Sequence, residues 1–178
     1  MTSRSFTLAA VALLAIATTS STVGADEFAP FGKGKTDMHP MEATNVVFDA
    51  NYQDPGQLNI LYNFVKNTLK ETKGKAVVVT HGPELRAFAR ENYEKYAGIV
   101  DKMNELAKMG VEFKMCNNAM KAAGYTSAED MHGFVTVVPA GFPELVYWQS
   151  KGYQYINPLP YPVKDVRYLD QPQLRKAN

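Results

Sequence analysis

Cysteine is almost missing from this sequence: 178 residues contain one, Cys116. A single thiol excludes an internal disulfide, a Cys-x-x-Cys redox pair and a cysteine zinc cage. An excess of charge is missing too, since 19 Lys and Arg face 18 Asp and Glu. The lysines are scattered, and no basic stripe is interleaved with aromatics, so nucleic acid is not an expected partner. No Gly-rich phosphate loop, haem-attachment motif, or Ser or Asp nucleophile constellation is present, and no cofactor is implied. Met38, His39 and Met41, with Met131 and His132, are soft ligands that could suit copper. They lack tight metal-ligand spacing, and no metal site is assigned to them.

Long apolar runs are absent after the first residues. MTSR, the run SFTLAAVALLAIA and the small-residue ending TVGA read as a secretory signal over residues 1–25, cleaved after Ala25. The run is shorter than the roughly 20 residues a membrane-spanning helix needs, so no stable membrane span is expected. The predicted location is periplasmic. Loss of Arg4 with the signal balances the charges, at 18 basic and 18 acidic residues. The remaining chain is about the size of one domain. A lone thiol in an oxidising compartment must be buried, modified or used.

Residues 26–42 carry Gly, Pro and charge without periodicity and read as an N-terminal arm. ATNVVFDA, from Ala43, is a short β-branched and aromatic strand. Asp54 then caps a helix that has Pro55 at its first position, with Leu58, Leu61, Phe64, Val65 and Leu69 on one face. KAVVVTHG is a nearly continuous apolar strand, as in a parallel sheet buried on both faces, and it ends at His81 and Gly82. PELRAFARENYEKY reads as a loop with a helical turn or two, and a better helix runs from Tyr96 to Met109, stopped by Gly110.

VEFKM forms the next strand, which ends at Cys116. Asn117 and Asn118 are placed to cap the short helix that follows. Thr126 and Glu129 have capping-box spacing. GFVTVVPAG is a strand, FPELVYWQSKG a helix and YQYIN a last strand, while residues 159–178 form a Pro-rich tail. This alternation predicts an α/β three-layer sandwich of about five mainly parallel strands with helices on both faces. Functional groups in such sheets collect where strands end, and His81 and Cys116 both sit at such ends.

The runs VVVTHGPEL, MNELAKMGVEFKMCNNAMKAAG and VTVVPAGFPELVYWQSKGYQYINP resemble the DsrE/DsrF-like family, over roughly Ala43 to Pro158. The more specific elements are the strand-end HG at His81 and Gly82, the phrase GVEFKMC-N with Cys116, and VVPAG followed by GY-Y at Gly152 to Tyr155. The resemblance implies a DsrE-like domain over residues 43–158, assembled as a homotrimer or hexamer. It also implies sulfane sulfur carried as a persulfide on Cys116, with a sulfane sulfur donor and an acceptor thiol protein as partners. Well-understood members of the family work in the cytoplasm, whereas this chain begins with an export signal.

A sulfur carrier needs a thiolate, because only the ionised form attacks a sulfane donor. A helix N-terminus favours that anion, and Asn117 and Asn118 add polar contacts for substrate without a repelling charge. A histidine is the side chain suited to proton transfer near neutral pH, so His81 could shuttle a proton or supply a cation; equally, it could only hydrogen-bond its own loop. Two functions are therefore expected of different classes. One is a sulfurtransferase-like carrier using Cys116 and His81. The other is a non-catalytic oligomeric binding or sensor module in which Cys116 is a small structural residue.

Overall fold

The computed structural model describes residues 34–158; the signal segment 1–25 and the tail 159–178 lie outside the described residues. Residues 34–39 belong to a separate unit, in which the Asp37 carboxylate accepts the backbone N–H of His39 at 3.0 Å. The unit that starts at Pro40 carries the α/β fold. No helix among the described residues is long and apolar enough to cross a membrane.

Five strands are separated by helices: β1 (Thr44–Ala50), α1 (Leu58–Thr72), β2 (Lys73–Thr80), α2 (Tyr93–Lys108), β3 (Glu112–Cys116), α3 (Asn117–Ala122), β4 (Val135–Val138), α4 (Gly141–Ser150) and β5 (Gln154–Ile156). The sheet order is β4-β3-β2-β1-β5, with every pairing parallel. This is the three-layer α/β sandwich that the alternation predicts.

The topology follows from the handedness of parallel crossovers. From β1 to β4 the chain steps in one direction, and the core on one sheet face gathers α1 through Leu58, Leu61 and Val65, α2 through Met103 and Leu106, and α3 through Met120. From β4 to β5 the step reverses and crosses the whole sheet. A right-handed connection then puts α4 on the opposite face, where Leu145 packs on Val47, Val77 and Val79. The alternation of strand side chains sorts the two faces: Val78, Phe113 and Met115 belong to the larger core, Val77 and Val79 to the smaller.

Local signals in the sequence are realised with shifts of a few residues. Asp54 caps the turn before α1, accepting the Gly56 N–H at 2.6 Å, and Pro55 follows it. Phe64 leaves the buried face and is 38% exposed, because the sheet-facing stripe is carried by Leu58, Leu61 and Val65. α2 starts earlier than Tyr96, which sits at a kink with φ −119° inside it. The capping box after α3 uses Ser127 and Asp130 in place of Thr126 and Glu129.

Candidate functional site

Strand register decides which residues meet at the C-terminal edge of the sheet. Asp49 on β1 pairs with Val79 on β2, and Thr80 pairs with Met115 on β3. One position further on, His81 and Cys116 leave neighbouring strands that run roughly 5 Å apart. Because side chains alternate, Asp49, His81 and Cys116 share the face of Val77 and Val79, opposite Met115. Three chemistry-bearing residues from three consecutive strands thus collect at one edge of the sheet, and the N-terminal end of α4 lies against His81. Gly141 lets that end approach closely, since a Cβ there would lie 3.0 Å from His81 Cβ and 3.1 Å from its Cγ. The Phe142 ring tilts against the imidazole, with centroids 4.9 Å apart.

Cys116 is 7% exposed and is itself the N-cap of α3. Its Sγ accepts the Ala119 N–H at 3.4 Å, so one helix-end donor is aimed at the sulfur. The expected caps, Asn117 and Asn118, do not have that role. The chain turns one residue earlier, leaving Asn117 half-buried and Asn118 exposed, each without a side-chain hydrogen bond among the described residues. A thiolate or persulfide would keep the Ala119 donor, and an anion strengthens such a bond.

His81 is held by groups that the sequence reading did not single out. Its Nε2 lies 2.6 Å from Asp49 Oδ1, and the two side chains are 7% and 5% exposed. The other oxygen, Asp49 Oδ2, accepts the Tyr155 hydroxyl at 2.6 Å and the Asn157 amide at 3.3 Å. Burial opposes ionisation of Asp49, but the hydrogen bonds from His81 and Tyr155, with the imidazole's charge, outweigh it, and the carboxyl stays below its usual range. The Tyr155 hydroxyl is in turn raised, chiefly by its bond to Asp49. When the ring is neutral, an ionised Asp49 draws the shared proton to Nε2 and leaves Nδ1, which has no hydrogen bond among the described residues, as the free nitrogen. A signal existed in the sequence: Asp49 interrupts the apolar run VVFDA, where a buried carboxylate needs partners.

The loop after His81 is fixed from the other face. Glu84 is completely buried; it accepts the Tyr52 N–H at 2.8 Å, the Gly82 N–H at 3.2 Å and the Thr80 hydroxyl. Burial pushes its carboxyl up, and the three donors only partly offset this. The backbone N–H of His81 donates to Ala50 O at 3.1 Å, which ties the end of β2 to β1.

A cleft of about 440 Å³ opens beside this edge, lined by His81, Pro83, Leu85, Arg86, Tyr125 and three alanines of the α3 segment, Ala119, Ala122 and Ala123. The alanines leave the room. Cys116 is not part of the lining, but the cleft touches both of its neighbours, His81 on the adjacent strand end and Ala119 one turn into α3. Arg86 is the one formally charged side chain in the lining, and its guanidinium also lies 3.9 Å from the Asp54 carboxylate. A larger hollow of about 540 Å³ lies among Arg90, Glu129 and Asp130, and it offers neither thiol nor imidazole. The structure therefore brings His81 and Cys116 to one edge and one face without a hydrogen bond between them, and it leaves Asn117 and Asn118 outside the cleft.

A family model described as the DsrE/DsrF-like family matches residues 44–158, well over half of the chain. Among solved structures, a protein of unknown function from Methanobacterium thermoautotrophicum is similar at 26% identity with a TM-score of 0.55. The match covers 65% of this chain and 99% of that one. No functionally curated protein matches the chain.

Proposed function

We propose that this chain, which belongs to the DsrE/DsrF-like family, carries sulfane sulfur as a persulfide on Cys116 and passes it to an acceptor thiol. Family membership associates the protein with sulfur metabolism. The persulfide reading is carried by one observation: the single thiol of the chain ends a core strand, accepts a helix-end N–H, and stands at the same sheet edge as a buried His–Asp pair.

The transfer needs no outside oxidant. The Cys116 thiolate attacks the outer sulfur of a donor R–S–SH, the donor S–S bond breaks, and a new S–S bond forms on Cys116. The proton lost by Cys116 goes to the departing thiolate as R–SH. An acceptor thiol protein repeats the exchange in the forward direction.

The periplasm is the site of action in this reading, supported by the signal-like residues 1–25. Assembly into a homotrimer or hexamer is supported by α4, where Phe142, Val146 and Tyr147 are 67%, 65% and 49% exposed. Light scattering of wild type against Val146→Glu tests this: a variant of smaller mass is expected, and a monomeric wild type overturns it.

The alternative, an oligomeric binding or sensor module with a structural cysteine, is favoured by the 7% exposure of Cys116. Intact mass after incubation with polysulfide or thiosulfate separates the two. Addition of sulfur to wild type but not to Cys116→Ala is expected. No addition, or equal addition to both, sinks the persulfide reading, and a thiol that alkylates only after denaturation favours the binding module.

A further inference from the structure

We propose that Asp49 is a positioning residue for His81, oriented by Tyr155 and Asn157, and that it keeps the imidazole in the Nε2–H form so that Nδ1 is the nitrogen that handles the Cys116 proton. This rests on the persulfide reading for its chemical role, though the ring state it assigns can be measured without sulfur transfer.

The geometry fixes more than proximity. Asp49 Oδ2 already accepts two donors, the Tyr155 hydroxyl at 2.6 Å and the Asn157 amide at 3.3 Å. Only Oδ1 is left for His81, at 2.6 Å from Nε2. Both donors come from the last strand and the residues just after it, so β5 closes the site although it lies at the far side of β1 from Cys116. Phe142 on one side and the close approach of Gly141 on another leave the ring little freedom to turn. The remaining nitrogen belongs to a residue that lines the cleft.

Nδ1 has its own part in the exchange. As a base it accepts the Cys116 S–H proton, directly or through one water, before the thiolate attacks the donor sulfur. The same proton then returns from Nδ1–H to the leaving thiolate, so the imidazole ends as it began. Asp49 touches neither sulfur nor donor and acts only through His81.

The test exploits the two donors on Oδ2. In Asp49→Asn, the amide oxygen must take the Tyr155 and Asn157 donors, which turns the amide NH2 toward His81 Nε2. That nitrogen must then accept, and the proton moves to Nδ1, the wrong tautomer for the exchange. In ¹⁵N spectra of histidine-labelled protein, recorded at a pH where the ring is neutral, wild-type His81 is expected as Nε2–H and the variant as Nδ1–H. A wild-type ring carrying Nδ1–H, or no change of tautomer in the variant, overturns the proposal. In single-turnover loading with polysulfide, Asp49→Asn and His81→Ala are each expected to slow sulfur addition by about 10²-fold, and the double variant by no more. Loading of Asp49→Asn at the wild-type rate overturns the positioning role and leaves Cys116 as carrier; no loading of wild type overturns the carrier reading itself. If Asp49→Asn does not fold, the wild-type ring state decides.

Discussion

Tyr155 on β5 donates a 2.6 Å hydrogen bond to Asp49 on β1 across 106 positions of sequence. The acceptor is a buried carboxylate, so the bond is charge-assisted, while the donor residue is 43% exposed and water can partly replace it. Tyr155→Phe is expected to cost about 1 to 2 kcal/mol in urea unfolding. It should also raise the Asp49 pKa from its lowered position, visible by NMR titration of the carboxyl. An unchanged Asp49 titration contradicts the hydrogen bond as the cause of its shift.

Cys116 serves the fold as an N-cap and the proposed chemistry as a nucleophile, and the two roles can be separated. Serine is a good N-cap, so Cys116→Ser should keep the Ala119 N–H partnered and change stability by less than about 1 kcal/mol. Sulfur loading should vanish. Loading that survives in the serine variant places the sulfur elsewhere; since the chain has no other cysteine, it would be noncovalent.

Two buried carboxyls give stability opposite dependences on pH. Asp49 lies below its usual 3.8, so its contribution is full above that pH and is lost as the pH falls through its lowered value. Glu84 lies above its usual 4.5; its contribution is full below that pH and declines as the pH rises toward its elevated value. Glu84→Gln cannot titrate, and its single acceptor oxygen leaves a donor unmet at a cost of about 1 to 3 kcal/mol. Denaturation midpoints followed upward from pH 4.5 should therefore decline less in the variant than in wild type. Equal slopes would remove Glu84 as their source.

Gly141 is placed where only hydrogen fits well against His81. A Cβ at that position meets the imidazole's Cβ, Cγ and Cδ2 at 3.0, 3.1 and 3.2 Å, so Gly141→Ala must shift the ring or the start of α4 by a few tenths of an ångström. The expected loss of stability is about 1 to 2 kcal/mol, as for a modest overpacking. Sulfur loading should slow several-fold with Cys116 untouched. A variant that loads at the wild-type rate shows that the ring position is not critical.

The candidate site was only partly legible in the sequence, for a physical reason. His81 and Cys116 announce themselves locally, because an apolar strand that ends in a polar or reactive residue reports its own boundary. Asp49 announces itself only as an acid in a core strand, and its partners Tyr155 and Asn157 lie more than a hundred positions away. Asn117 and Asn118 misled because the preference for asparagine as an N-cap is a tendency of the residue type. The backbone turned at Cys116 instead, and the sulfur took the helix-end N–H.

By itself the sequence determined the elements: side-chain period, β-branched runs and caps act within a few residues, so five strands, four longer helices and a cysteine at a strand end follow from neighbours along the chain. Tertiary structure alone decided who stands beside whom. The reversal from β4 to β5 sends α4 across the second face and delivers Tyr155 to Asp49, and parallel register sets His81 next to Cys116. Those choices depend on burying two sheet faces at once and on the handedness of crossovers, which no local stretch of sequence encodes.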